Sequence, residues 1–269
     1  MRALLASPLG FLIGISLGAL GGGGSILAVP ALVYAAGQTP KQATTTSLVL
    51  VALTAMIGIV PHWRSGRVRV APGVIFGLAG VGGSLLGSHW NTAADPNVLL
   101  ILFSGLMLVA AYGMWHRVSA TKATAVPKSV GAAAAPVTPA SVRVDPMTIL
   151  KVIVAGTVVG LLTGFFGVGG GFVIVPALVL ALGFSMPEAI GTSLLVITIN
   201  SMVALTTRMQ AGSIEWGTVI PFTIASVIGV MVGSRLASTR DSSSLQRWFV
   251  GLLVVVAVYT AVRSGLAMR

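Results

Sequence analysis

The chain alternates between long apolar blocks and short polar gaps. Each block is long enough to cross a bilayer, since a transmembrane helix needs about 20 apolar residues. Stretches such as 98–111 and 250–262 are apolar on every face, whereas the strands of a membrane β-barrel alternate apolar and polar residues. The pattern therefore predicts an all-α polytopic membrane protein. The blocks lie at about residues 8–36, 42–60, 70–89, 97–115, 148–182, 188–207, 217–236 and 244–262.

The composition supports this prediction. Of 269 residues only 8% are charged, while 55% are hydrophobic and the mean hydropathy is +1.00. A soluble domain carries roughly 25% charged residues. A soluble globular enzyme is therefore excluded. The chain has no cysteine, which also excludes disulfides, thiolate catalysis and iron–sulfur ligation.

The net charge of +11 does not indicate a nucleic-acid partner. The basic residues lie in the gaps between apolar blocks rather than on one soluble face. Positive-inside orientation explains them better and predicts that two gaps face the cytoplasm. One gap holds Arg64, Arg67 and Arg69; the other is the segment around 118–146.

The second half of the chain repeats the first. Gly10 aligns with Gly156, and the match continues without gaps as far as Ala111 with Ala257. Residues 1–20 have the features of a signal peptide, but the same segment recurs later, so we interpret it as part of the fold. We predict a first transmembrane repeat at 1–117, a flexible cytoplasmic linker at 118–146, rich in Ala, Pro and Thr, and a second transmembrane repeat at 147–269.

The first block of each repeat is too long for one straight span and contains a glycine-rich run, at 21–24 and at 167–171. We predict a broken first helix and about four transmembrane helices per repeat. The gap at Arg64 aligns with the gap at Arg208, which favours parallel repeats. With parallel repeats, however, the gap around Arg235, Arg240 and Arg247 would face outward, contrary to the positive-inside rule. If both pieces of each broken helix cross, there are five segments per repeat and the repeats are inverted.

The glycine breaks predict an anion site. Interrupted backbone at membrane depth is tolerated only against protein or a water-filled cavity. The helix that resumes after each break points its N–H groups and the positive end of its dipole there. The alternative is that the glycines merely allow close helix crossing, as we expect for Gly10, Gly14 and Gly18. The predicted donors are the N–H groups of Gly23, Gly24 and Ser25 and of Gly170, Gly171 and Phe172.

Hydroxyl and amide side chains recur at aligned positions on the second helix of each repeat. Residues seven apart share a helix face, so the stripe Ser47/Thr54 is predicted to face the stripe Ser193/Asn200. The alternative for the hydroxyls is a bond to their own helix. With Thr46 and Thr192, the predicted substrate-binding side chains are Thr46, Ser47, Thr54, Thr192, Ser193 and Asn200.

The remaining polar residues predict no catalysis and no metal or other cofactor. Asp95, Asp145 and Asp241 precede apolar blocks and are interpreted as helix caps, while Glu188 supports a helix dipole. The three histidines, at 62, 89 and 116, have no second ligand at metal spacing. No nucleophile–base pair is present, so we expect a protein that is not an enzyme.

The glycine breaks and the hydroxyl-bearing helix starts resemble the TauE/SafE family of sulfite exporters, also called the toluene sulfonate uptake permease family. The resemblance covers both repeats and implies a secondary transporter of sulfite, sulfonates or related anions in a bacterial inner membrane. The long linker departs from the family. The matching segments are GALGGGGSILAVPALVYAAG (18–37), QATTTSL (42–48), GFFGVGGGFVIVPALVLALG (164–183), EAIGTSLLVI (188–197) and GSRLA (233–237).

Sequence and resemblance together predict alternating access between the two repeats around a small sulfur-containing anion. An anion channel and a non-transporting membrane scaffold or assembly factor are the alternatives. The expected partners are the anion and the lipid bilayer. A coupling proton and a homodimer are left open, as are the identity of the anion and the direction of transport.

Overall fold

The computed structural model describes residues 2–34, 36–91, 96–123, 146–166, 171–208 and 216–267, and these residues are helical apart from short turns. A 3-10 turn at Gly21–Gly24 separates α1 from α2. The helices are α1 (Arg2–Leu20), α2 (Ser25–Tyr34), α3 (Pro40–Arg64), α4 (Val70–Asn91), α5 (Pro96–Ala123), α6 (Pro146–Phe166), α7 (Gly171–Leu180), α8 (Met186–Arg208), α9 (Trp216–Thr239) and α10 (Ser242–Ala267).

The helices have the length and surface of membrane spans. Within the described residues, seven stretches are long and apolar enough to cross a bilayer, one of which includes the first glycine break. Large apolar side chains cover the outside of the bundle; Leu85, Val109 and Tyr112 are each more than 60% exposed. Such a surface is stable only against lipid. The prediction of an all-α polytopic membrane protein is confirmed.

Glycine ridges allow two pairs of helices, α1 with α9 and α4 with α6, to pack closely. A Cβ built on Gly14 of α1 would lie 2.0 Å from the carbonyl oxygen of Ser226 in α9, and one on Gly160 of α6 would lie 2.1 Å from that of Gly80 in α4. Only glycine permits so close an approach of two backbones. The packing interpretation of these ridges is confirmed.

The first glycine break reverses the direction of the chain. Helix α1 runs parallel to α9, because Gly10, Gly14 and Gly18 lie in order against Phe222, Ser226 and Val230. Helix α3 also runs parallel to α9: Gly58 lies against Val230, and His62 and Ser234 line one cavity. Since α1 and α3 point the same way, α2 is the returning leg of a hairpin. Gly24 accordingly packs back against Ile13 and Leu17 of α1.

The second half makes the corresponding hairpin. Helices α6 and α8 both run parallel to α4, so the chain returns between them through α7. The contacts that fix these directions are Gly156, Gly160 and Gly164 against Phe76, Gly80 and Ser84, and Gly73 and Gly77 against Leu195 and Ile199.

The two halves are oriented in opposite directions. The corresponding helices α3 and α8 are antiparallel, because Gly58 lies beside Leu194 and His62 beside Gly191. The expectation that charge favours parallel repeats is therefore wrong. The alternative, with five helical segments per half and inverted halves, describes the structure, because each first block turns back instead of making one net crossing.

Inversion places the positive charge at one end of the bundle. The cationic side chains that the structure describes all lie there, because α3, α9 and the starts of α4, α6 and α10 meet at that end. The positive-inside rule assigns this end to the cytoplasm, and we call it the cytoplasmic end. Its cations are Arg64, Arg67, Arg69, Lys151, Arg235, Arg240 and Arg247.

The linker begins later than predicted. Helix α5 continues to Ala123 and α6 begins at Pro146, so residues 118–123 and Pro146 are helical. The rest of the predicted linker, 124–145, lies outside the described residues, as do Asp95 and Asp145. The division into two repeats joined by a linker otherwise stays a prediction.

Candidate functional site

The first glycine break meets the start of α7, the helix that follows the second glycine run. Gly21 has φ +68°, a conformation that suits glycine and starts the turn between α1 and α2. Gly21 to Gly24 are all buried. A Cβ on Gly22 would lie only 1.6 Å from the carbonyl oxygen of Gly171, the first residue of α7. The first break therefore touches the start of the helix that follows the second break.

The N-terminal ends of the two short helices lie side by side at this contact. Helix α2 starts at Ser25 and α7 starts at Gly171. A Cβ on Gly171 would lie 2.5 Å from the Ser25 hydroxyl oxygen and 2.9 Å from the Gly22 carbonyl oxygen. Two positive dipole ends are thus brought together in the interior of the bundle.

The amide of Ser25 is not free in this conformation, contrary to the sequence prediction. The backbone N–H of Ser25 donates to the Gly22 carbonyl oxygen, and the Ser25 hydroxyl donates to the same oxygen at 2.7 Å. The prediction assumed an open helix end, whereas the 3-10 turn satisfies this donor internally. The hydroxyl can rotate away from its acceptor, but the amide requires the turn to open.

Ser193 of α8 approaches the first break from the other half. A Cβ on Gly21 would lie 2.4 Å from the Ser193 hydroxyl oxygen. The side chain is fully buried, and its hydroxyl donates to the Ile190 carbonyl oxygen at 2.8 Å. The structure therefore brings Ser193 to the glycine break of the opposite half.

Aligned phenylalanines form apolar walls beside the two breaks. Phe172, the second residue of α7, packs edge-on against Phe103 of α5 with ring centroids 4.8 Å apart. Phe249 of α10 lies against Gly23, where a Cβ would be 3.1 Å from its ring. Phe103 and Phe249 occupy aligned positions of the repeat. This pair was not predicted from the sequence, although the duplication aligns the two phenylalanines.

The other predicted side chains lie on the same two helices but make different contacts. The Thr54 hydroxyl donates to the Leu50 carbonyl oxygen of its own helix, as the alternative interpretation held. Asn200 faces Gly80 of α4, and within the described residues its buried Oδ1 has no hydrogen-bond partner. Thr46 and Ser47 are buried on α3. Gly170 lies outside the described residues.

Thr192 helps to connect the two halves at the cytoplasmic end. Its hydroxyl oxygen accepts the backbone N–H of Arg69 at 3.0 Å. The Arg69 guanidinium donates to Glu188 Oε1, with Nε at 2.9 Å. Glu188 Oε2 also accepts the amide and hydroxyl of Ser185, which completes the start of α8. Glu188, which was predicted to support the helix dipole, accepts these hydrogen bonds at the start of its helix and also forms an ion pair between the halves that the sequence did not indicate.

Within the described residues, no cluster of three or more His, Asp or Glu could hold a metal ion. His62 is buried at the end of α3, with Nε2 3.3 Å from the Gly18 carbonyl oxygen. The polar groups around the breaks are instead backbone dipoles and neutral hydroxyls, which are groups that bind anions.

Comparison with known proteins agrees with the architecture. The family model for the sulfite exporter TauE/SafE matches residues 6–260. The chain belongs to the TauE/SafE family. A probable membrane transporter protein of Xylella fastidiosa (strain 9a5c) is 35% identical over 263 residues, which is 95% of this chain and 93% of the relative.

More distant TauE/SafE relatives align over similar lengths. The probable membrane transporter protein YunE of Bacillus subtilis (strain 168) is 26% identical over 270 residues, covering 95% of this chain and 92% of the relative. No solved structure gives a significant match to the chain. Family membership and the apolar helices together identify a multi-pass membrane protein of a transporter family.

Proposed function

We propose that this TauE/SafE protein is a secondary transporter of a small sulfur-containing anion, either sulfite or an organosulfonate. The observation that carries the proposal is the meeting of the α2 and α7 N-termini at the contact of Gly22 with Gly171. Each helix end presents partial positive charge to the same point. Discontinuous helices in transporters bind anionic groups in this way.

The proposed site attracts an anion without trapping it. A helix end stabilises a nearby anion by about 0.3–2 kcal/mol. The described cationic side chains lie at the cytoplasmic end, and none of them is among the atoms nearest to Gly21–Gly24 or Gly171. Dipoles and hydroxyls therefore offset part of the dehydration cost of the anion, and release stays fast enough for turnover.

The inner ligands would be the Ser25 and Ser193 hydroxyls and the amides of Gly23, Gly24, Gly171 and Phe172. These groups belong to both halves, so an anion bound between them bridges the halves. The first break is in direct contact with the start of α7 in the present conformation. Binding therefore requires the turn at Gly21–Gly24 to separate from Gly171, which couples anion binding to movement of one half against the other. Thr46, Ser47, Thr54, Thr192 and Asn200 would lie farther out along α3 and α8.

Uptake into proteoliposomes tests this proposal. A panel of sulfite, sulfate, a small alkyl sulfonate, toluene sulfonate, phosphate and chloride would be assayed for uptake above protein-free liposomes. We expect a sulfur oxyanion to be the preferred substrate. Replacing both hydroxyls, in the double variant Ser25→Ala with Ser193→Ala, should lower its transport by roughly tenfold or more, since a hydrogen bond to a charged group contributes about 1.5–3 kcal/mol.

The matched control is Ser104→Ala on α5. Its hydroxyl is also buried and also donates to its own helix, to the Ile101 carbonyl oxygen at 2.7 Å, but Ser104 is not among the atoms nearest to Gly21–Gly24 or Gly171. The control should transport at the wild-type rate. Unchanged transport by the folded Ser25→Ala, Ser193→Ala protein would overturn the site assignment, and no uptake of any sulfur anion by the wild type would overturn the proposed function.

A further inference from the structure

A polar cavity lies at the cytoplasmic end, outside the glycine breaks. It has a volume of about 100 Å³ and forms where the end of α3 and the following loop meet the end of α9. His62 and Ser234 at its base are buried, whereas its rim is exposed. Its polar lining consists of His62, Ser65, Arg67, Ser234, Arg235 and Ser238.

The lining combines two guanidinium groups with no carboxylate. Arg67 comes from the first half and Arg235 from the second. Among the described residues the only ion pair joins Arg69 to Glu188, and that glutamate does not line the cavity. The cavity therefore has two arginines and no carboxylate in its lining, a composition that favours a bound anion.

Hydroxyl groups complete the cavity. Ser234 donates to the Met231 carbonyl oxygen at 3.0 Å, and Ser238 donates to the Arg235 carbonyl oxygen at 2.7 Å. Because a hydroxyl rotates freely about its C–O bond, each can exchange this backbone acceptor for a bound anion. Hydrogen bonds to a charged acceptor are about twice as strong as neutral ones.

The cavity adjoins the first glycine break. His62 at its base contacts the Gly18 carbonyl oxygen, three residues before the turn begins. Gly191 packs against both His62 and the Arg67 carbonyl group, and Ser193, two residues farther along α8, touches Gly21. About one helical turn of α1 and half a turn of α8 thus separate the cavity from the first break.

We propose that this cavity is a cytoplasmic docking site for a small oxyanion, bound by Arg67 and Arg235 before it reaches the breaks. The docking role rests on the proposed transport function, whereas anion binding itself does not. At about 100 Å³, the cavity has room for a compact sulfur or phosphorus oxyanion.

Binding and transport by charge variants test the proposal. The double variant Arg67→Gln with Arg235→Gln would be compared with Arg64→Gln, an exposed cation at the same end that does not line the cavity. Sulfite and sulfate binding would be measured by titration calorimetry in nanodiscs, and sulfite uptake in vesicles of known orientation. A monodisperse elution profile and the thermal unfolding midpoint check the fold of each variant.

We expect the wild type to bind both sulfate and sulfite weakly at this cavity. The double variant should lose this weak binding. Its half-saturating sulfite concentration at the cytoplasmic face should rise roughly tenfold to a hundredfold, with little change at the opposite face and in the maximal rate. Arg64→Gln should match the wild type in both assays. Single Arg→Lys variants should retain intermediate affinity, because they keep the charge but lose the planar donor geometry.

Three results would overturn the proposal. The first is equal sulfate binding by the wild type and the double variant. The second is a loss of sulfite binding in nanodiscs containing phosphatidylglycerol compared with phosphatidylcholine alone, which would assign the cavity to a lipid headgroup. The third is an equal rise in the half-saturating sulfite concentration of the double variant at both faces of the membrane. If the wild type binds sulfate through these arginines but transports nothing, anion binding stands and the proposed transport function fails.

Discussion

At the scale of single residues, the candidate site depends on glycines, which have no side chain. Gly22 lets the first break touch the backbone of Gly171, and no larger residue fits there. Serine hydroxyls supply the polar side-chain groups beside this contact. A site of this kind presents neutral dipoles, which attract an anion with a small free energy and release it readily.

Substitution of Gly22 tests whether the first break packs against Gly171 as closely as the structure shows. Gly22→Ala places a Cβ 1.6 Å from the Gly171 carbonyl oxygen, so it should destabilise the protein by at least about 1–3 kcal/mol, the usual cost of overpacking. The matched control is Gly82→Ala on exposed α4 surface, where a Cβ meets nothing within 4 Å. Thermal unfolding in detergent measures both. Equal midpoints for the two variants would show that the breaks do not touch.

Several residue assignments followed from the sequence, and others could not. The glycine breaks and the ridge glycines were identifiable because glycine at membrane depth has few other uses. Thr54 and Asn200 were predicted to lie on two facing stripes, yet Thr54 bonds to its own helix and Asn200 faces Gly80. Spacing along one helix specifies a face, but it does not specify which neighbour packs against that face.

At the scale of elements, each broken helix is a hairpin. Its total length predicted an interruption, since one straight span could not use so many residues. Its direction could not be read from composition, because a glycine run permits a reversal as readily as a kink. The reversal became evident only from the parallel packing of α1 and α3 against α9.

The ion pair between Arg69 and Glu188 fastens the start of α4 to the start of α8. It is partly exposed, with side-chain exposures of 37% and 25%, so Glu188→Gln should change stability by only about 0–1 kcal/mol. Its larger effect should be on opening of the cytoplasmic end. Because the chain has no cysteine, a single Ser193→Cys reporter gives an unambiguous readout of this opening.

A membrane-impermeant maleimide added at the cytoplasmic face should modify this cysteine several times faster when Glu188→Gln is also present. The control is Asp241→Asn, which removes an exposed acid that is not paired with Arg69. Equal labelling rates in the two backgrounds would show that the ion pair does not restrain opening.

At the scale of the whole molecule, inversion explains the placement of Arg235, Arg240 and Arg247, although it puts Arg208, at the end of α8, at the opposite end. Parallel repeats would place Arg235, Arg240 and Arg247 on the outward side of the membrane, contrary to the positive-inside rule. In the inverted arrangement these residues lie at the same end as Arg64, Arg67 and Arg69. The low number of charges had indicated a membrane protein, and their placement now indicates which end faces the cytoplasm.

Cysteine labelling in oriented vesicles tests the inversion directly. Ser65→Cys and Ser238→Cys should both react from the cytoplasmic face, because they line one cavity. Thr206→Cys, near the end of α8, should react only from the opposite face. Parallel repeats require Thr206→Cys and Ser65→Cys to react from the same face, since the corresponding helices α8 and α3 would then end together.

Counterflow of radiolabelled sulfite tests whether the contact between the first break and α7 is an anion site exposed alternately to the two sides. Proteoliposomes would be loaded with unlabelled sulfite and diluted into trace labelled sulfite. We expect a transient accumulation of label above equilibrium that is lost in the Ser25→Ala, Ser193→Ala protein and kept in Ser104→Ala. Uptake that only approaches equilibrium, with no stimulation by internal sulfite, would instead indicate a pore and contradict alternating access.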